Sequence, residues 1–134
     1  MANGTIAFDT LTTSDSIDTG TERSIDTSYL LNGSSKSWVN LDGTDSGAAT
    51  RDSFNVGSTT DNGTGNYTVT FSNNMINDDY AHNVTARGST VVFGSINDGQ
   101  YATSKMGIYL FNTSGSLTDA TYAIATLHGE LAWQ

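Results

Sequence analysis

The sequence predicts an all-β protein, an antiparallel β-sandwich of jelly-roll-like type with an extended N-terminal arm. Three observations predict it. Short runs of alternating apolar and polar residues recur along the chain, clusters of Gly, Asp, Asn and Ser separate them, and no window carries the apolar period of an amphipathic helix. About seven or eight strands at near-regular spacing are what a two-sheet β fold requires.

Composition agrees. The chain has 134 residues, room for one ordinary domain, with 36% apolar and only 14% charged residues. The remainder is rich in Gly, Ser, Thr, Asn and Asp, the profile of a turn-rich β protein with uncharged polar faces. Aromatic residues clustered in alternating runs, among them Tyr67, Phe71, Phe93, Tyr109 and Phe111, argue for a packed core and against disorder.

Residues 1–35 read as an arm or anchor and residues 36–134 as the β-sandwich domain. In the arm, Thr5-Ile6-Ala7-Phe8 suits one short strand, but the Thr, Ser, Asp and Gly that follow hold only the isolated apolar residues Leu11, Ile17 and Ile25. Tyr29-Leu30-Leu31, ended by Asn32-Gly33, forms a second small apolar cluster. Such spacing cannot close a core by itself, so it fits an arm laid on another surface and equally an N-terminal strand with a long loop.

The domain is organised around residues 36–71. Trp38 and Val39 anchor a first strand, Phe54 and Val56 a second, and Tyr67, Val69 and Phe71 a third, with Thr68 and Thr70 expected on its water side. Thr60-Asp61-Asn62-Gly63-Thr64-Gly65 supplies the residues that tolerate positive φ in a tight reversal. Tyr80 to Arg87 alternates with Tyr80, His82, Val84 and Ala86 on one face. Thr90-Val91-Val92-Phe93 is a β-branched run expected to end at Gly94. Met106 to Phe111 is the most apolar run, a central strand expected to be buried on both faces, and Ala120 to Trp133 holds the last strand.

Little in the chain points to chemistry. There are no cysteines, hence no disulfide or thiolate site, and the two histidines, His82 and His128, stand apart in different strands without a ligand pattern. Asp42, Asp45 and Asp52 gather near one turn and Asp78-Asp79 are adjacent, but no calcium-loop pattern surrounds them and they read as solvated turn carboxylates. No G-x-S-x-G elbow surrounds any serine, and Gly63-Thr64-Gly65 lacks the Lys and helix of a phosphate loop. No catalytic residue, metal site or cofactor is expected, and the chain reads as a non-enzyme.

The formal net charge of −9 repels phosphate backbones and makes nucleic acid an unexpected partner. The first residues lack a basic segment followed by an apolar run, and no stretch approaches the roughly 20 apolar residues of a membrane span. The expectation is a soluble product of the cytoplasm with no membrane partner. Trp38 and Trp133 are candidate oligomer-interface residues, since a strand Trp is core or interface packing more often than a sugar platform.

Three segments carry a resemblance: Ser35-Lys36-Ser37-Trp38-Val39-Asn40-Leu41-Asp42-Gly43-Thr44, then Arg51-Asp52-Ser53-Phe54-Asn55-Val56, then Thr60 through Phe71. In order and spacing they resemble a segment that recurs in tail-fibre-like and other virion surface proteins of marine and cyanobacterial tailed phages. Leu41 stands where that segment usually has Phe, and Thr59 where it has an aliphatic residue.

The resemblance implies a non-enzymatic, β-rich and trimeric module displayed on the virion surface, with no catalytic residues to carry over. A short arm before one β domain suits a capsid cement, decoration or head-fibre protein that binds the major capsid protein or another virion protein. Ile6, Phe8, Leu11, Ile17, Ile25, Tyr29 and Leu30 are then its expected anchors. The alternative is a tail-fibre or tail-tip adhesin binding host glycan through loops near Asp42 to Ala48 and Asn97 to Gln100. A glycan depolymerase would need Asp52 or Asp79 in a carboxylate pair.

Overall fold

The computed structural model describes residues 10–13 and 23–132, and the chain divides into two compact units, Met1–Ser34 and Ser35–Gln134. In the first unit, β1 (Thr10–Thr13) pairs antiparallel with β2 (Arg23–Asp26), placing Leu11 opposite Ile25. A seven-residue helix, α1 (Thr27–Gly33), follows directly. Asp26 and Thr27 are residue types that suit a helix start, and Gly33 suits its end. The sequence shows no helical window, because seven residues with apolar Tyr29, Leu30 and Leu31 side by side display no period. The segment expected as a strand at Thr5 to Phe8 lies outside the described residues.

The second unit is built of antiparallel β-strands with one short 3-10 helix at Asp98–Gln100. Its strands are β3 (Ser37–Asp42), β4 (Ala49–Phe54), β5 (Val56–Asp61), β6 (Asn66–Phe71), β7 (Ala81–Arg87), β8 (Val92–Ile96), β9 (Lys105–Asn112) and β10 (Tyr122–His128). They form two four-stranded sheets, with orders β4-β3-β10-β7 and β5-β6-β9-β8. The hairpin partners β3 and β4, β5 and β6, and β8 and β9 stay side by side, as short connections favour.

One core joins the two sheets. Val39 and Leu41 of β3 and Ala123, Ala125 and Leu127 of β10 belong to the same buried cluster as Tyr67, Val69 and Phe71 of β6 and Met106, Ile108 and Leu110 of β9. Each set occupies alternate positions of its strand, so each sheet buries one face and leaves the other outward. Strand β9 is central, as its apolar run predicts, yet it is not sealed on both sides: Tyr109 and Phe111 point away from the core and are half-buried. Thr68, expected to face water, is buried, and its hydroxyl accepts a 2.8 Å hydrogen bond from the Asn62 side-chain amide.

Two local features depart from the sequence expectation. Phe54 and Val56 read as one strand, but the chain turns between them and passes from one sheet to the other. Asn55 makes the corner with φ of 55°, a left-handed conformation that Asn tolerates better than most residues. Its Nδ2 donates to the carbonyls of Lys36 and Asn73, each at 3.0 Å, and its Oδ1 accepts the Asn73 N–H at 2.7 Å.

Gly94, expected to end a strand, lies in the middle of β8. A Cβ there would sit 2.5 Å from Val84 Cγ1 and 2.6 Å from the Val84 carbonyl oxygen, so Gly94 is what lets β8 pass close to β7.

Candidate functional site

The outer face of the first sheet concentrates the unusual surface chemistry of the domain. Alternation along β3 turns Trp38, Asn40 and Asp42 outward, and register fixes what lies beside them. Trp38 sits between Phe54 of β4 and Thr126 of β10, and Asn40 between Asp52 and Ile124. Across β10, Ile124 faces Thr85 of β7 and Tyr122 faces Arg87. Phe54 is 51% exposed and Ile124 37%, and Trp38 and Tyr122 are half-buried. An apolar and aromatic ridge therefore runs over a face that water reaches.

Two cations close one end of the ridge. A register shift between Asn40 and Leu41 leaves Arg51 as the extra residue of β4, and a bulge of this kind re-aims a side chain. The Arg51 guanidinium lies over the Tyr122 ring, 4.7 Å from its centroid, and Arg87 approaches the same ring at 5.6 Å. Arg51 pairs with the Asp42 carboxylate and donates to the Thr121 carbonyl at 3.2 Å. The Thr44 hydroxyl donates to Asp42 at 2.6 Å, and that bond, helped by the Thr44 N–H and Arg51, holds the carboxyl below its ordinary range. Arg87 has no carboxylate partner among the described residues, and neither does Asp52 have a cation. Opposite Asp52, the Asn40 side-chain oxygen is buried without a donor among the described residues.

The second sheet turns a different face outward. Phe93 of β8 lies opposite Phe111 of β9, Tyr109 follows at a ring separation of 5.8 Å, and Leu117 bridges to Phe111. Phe93 is 56% exposed. Asn66 lies opposite Tyr109, and its side-chain oxygen accepts a 2.9 Å hydrogen bond from Asn97, which is itself buried.

Polar groups inside the domain are largely occupied in holding it together. The Tyr67 hydroxyl, fully buried, lies 2.7 Å from the Asp119 carboxylate and 3.1 Å from the Gly43 carbonyl, and burial followed by that carboxylate raises its pKa well above the ordinary phenol value. Tyr80 donates to the Lys105 carbonyl at 2.7 Å, while Tyr101 stacks on it at 4.4 Å and bonds its backbone oxygen. His82 stacks on Tyr101 at 5.4 Å, and neither of its ring nitrogens has a hydrogen-bond partner. Desolvation lowers its pKa accordingly. His128 is exposed at the end of β10.

Of the carboxylates expected as solvated turn groups, Asp45, Asp52, Asp78 and Asp79 are exposed, Asp52 within β4 and not in a turn, while Asp42 is half-buried and paired with Arg51. Among the described residues, no three His, Cys, Asp or Glu side chains converge as a metal site.

Of the expected arm anchors, Ile6, Phe8 and Ile17 lie outside the described residues, as does Trp133. Leu11 and Ile25 occupy facing register positions of the β1–β2 hairpin, and Tyr29 and Leu30 lie on α1, with Tyr29 72% exposed. Trp38, expected as an interface residue, lies half-buried on the outward face of β3. Sequence reading misses its companions. Phe54, Ile124, Tyr122, Arg51 and Arg87 meet only through the β4-β3-β10-β7 order, and the one advance signal is the alternation in Tyr122 to His128.

No family model, no curated protein and no solved structure matches the chain.

Proposed function

We propose that this chain is a non-enzymatic structural protein of a phage virion, a capsid cement or decoration (head-fibre) subunit that acts as a homotrimer on the shell. In this reading residues 1–34 bind the major capsid protein or a neighbouring virion protein, and the two-sheet domain, a variant of the jelly-roll-like sandwich, projects from the surface. Many copies bound at subunit junctions stabilise the shell by mass action, since each binds the assembled state in preference to the dissociated one.

The observation that carries the proposal is the outward apolar and aromatic ridge of Trp38, Phe54 and Ile124 on a domain whose buried tyrosines and Asn55 are engaged in structural bonds. A face of that kind is suited to being covered. The division of the chain at Ser34 supports a separate anchoring role for the N-terminal unit, as do the exposed Tyr29 and Leu31 of α1. Removing residues 1–31 is expected to abolish binding to heads while the β domain retains its β-sheet circular dichroism. Full head occupancy by the truncated chain contradicts the anchoring role.

One observation favours a second reading, a tail adhesin for host glycan. Phe93, Tyr109 and Phe111 form an aromatic surface with Asn66 opposite Tyr109, the pairing of apolar platform and polar rim that pyranose rings use. A glycan array separates the readings: saccharide binding lost in Phe93→Ala and Phe111→Ala supports the adhesin, and an unreactive array leaves the decoration role.

A further inference from the structure

The outer face of the first sheet carries unlike charges on its two edges. Asp52 stands on β4 and Arg87 on β7, both exposed, with β3 and β10 between them. Three strand spacings of about 4.8 Å each separate those edges, roughly 14 Å before the offset along the strands is added, which puts the pair out of reach within one chain. The other acid and base of this face, Asp42 and Arg51, already neutralise each other. Among the described residues, what remains is an unpaired acid on one edge, an unpaired base on the other, and the apolar ridge that starts at Phe54 on the acidic edge strand and continues through Trp38 to Ile124.

We propose that this face is the contact between copies of the chain, with Asp52 of one copy paired to Arg87 of the next and the ridge buried between them. The inference rests on the homo-oligomer of the proposed function and specifies its interface. In a closed ring of copies, groups on opposite edges of one face satisfy each other, because each chain offers the acid to one neighbour and the base to another. A chain of net charge −9 otherwise repels its own copies, so a local cation at the contact selects the orientation in which they meet. The Arg87 guanidinium over Tyr122 is held toward that contact by the ring, and Trp38 and Phe54 supply the aromatic area that dominates such interfaces.

The occupant is a second copy rather than a foreign partner, because the complementary charge and the ridge are both present on the same face.

Sedimentation of the full-length chain over a range of concentrations tests the pairing through charge reversal. The wild type is expected to associate, with a limiting mass of three chains. Asp52→Arg and Arg87→Asp are each expected to raise the dissociation constant about tenfold or more, since each places like charges in contact. The double variant D52R/R87D swaps the charges and is expected to recover most of the loss, which a merely unfolded or structurally damaged variant cannot do.

A strict monomer at every concentration overturns the proposal and leaves the face to a foreign partner. An oligomer indifferent to both single reversals also overturns it. A limiting mass of two chains with the swap intact supports the pairing and counts against the trimer, while a swap-sensitive oligomer absent from virions leaves the interface standing and removes the virion role.

Discussion

Asn55 and Asn73 clasp each other where the chain leaves one sheet for the other: the Asn73 N–H donates to Asn55 Oδ1 at 2.7 Å, and Asn55 Nδ2 donates to the Asn73 carbonyl at 3.0 Å. A third bond, from Asn55 Nδ2 to the Lys36 carbonyl at 3.0 Å, ties in the start of β3. One side chain therefore fixes three segments at the corner, while its own backbone occupies the left-handed region.

Asn55→Ala loses the bonds and the tolerance of positive φ together, and is expected to destabilise the domain by about 3 kcal/mol. Asn55→Gly relieves the backbone but leaves the partner groups without the side chain, so its cost is expected to be smaller, about 1–2 kcal/mol. Urea denaturation of both variants checks the order. Equal stability of Asn55→Ala and wild type removes the clasp from the account.

Gly94→Ala is expected to cost about 1–3 kcal/mol, because the added methyl overlaps Val84. Part of the overlap is with the Val84 side chain and part with its carbonyl, so Val84→Ala in the same molecule is expected to recover only a fraction. Full recovery in the double variant would locate the constraint in the side chain alone.

Tyr67 links stability to alkaline pH. Its folded pKa lies above the unfolded value near 10, so the folded state holds the proton more tightly; the contribution is complete below about pH 10 and is lost as pH rises above it. Tyr67→Phe removes a buried hydrogen bond to a carboxylate and is expected to cost about 1.5–3 kcal/mol at neutral pH, with a shallower loss of stability between pH 10 and 11. Denaturation midpoints at pH 8, 10 and 11 read both effects, and parallel profiles would count against the assignment.

His82 acts at the other end of the scale. Its folded pKa lies below the unfolded value near 6.5, so the unfolded state binds the proton first; stability is full above that value and declines as pH falls through it. His82→Phe keeps a ring against Tyr101 and removes two unpartnered nitrogens. It is expected to be at least as stable as wild type at pH 7.5 and to lose less at pH 5. A steeper acid loss in the variant contradicts this.

Much of the fold is legible in the sequence because it follows from period two. Tyr67, Val69 and Phe71 are buried, as are Ala123, Ala125 and Leu127, and His82, Val84 and Ala86 share the inward side of β7. The reversal at Gly63 and Gly65 has the positive φ expected of it. The alternation through Phe54 and Val56 hides the corner at Asn55, since a change of sheet leaves no mark on apolar spacing. Gly94 reads as punctuation because the reason for it, Val84, is contributed by another strand.

The candidate face is less legible for the same reason. Trp38 signals itself as a strand tryptophan, but its pairing with Thr126 and the approach of Arg51 and Arg87 to Tyr122 depend on β10 lying between β3 and β7. That pairing spans most of the domain's length, and local pattern does not encode it.

Immunogold labelling of intact virions with antibody raised against the full-length chain tests the proposed role most directly. Gold distributed over heads is the expected result. Gold confined to tails, or virions that carry none, contradicts a capsid-decoration protein.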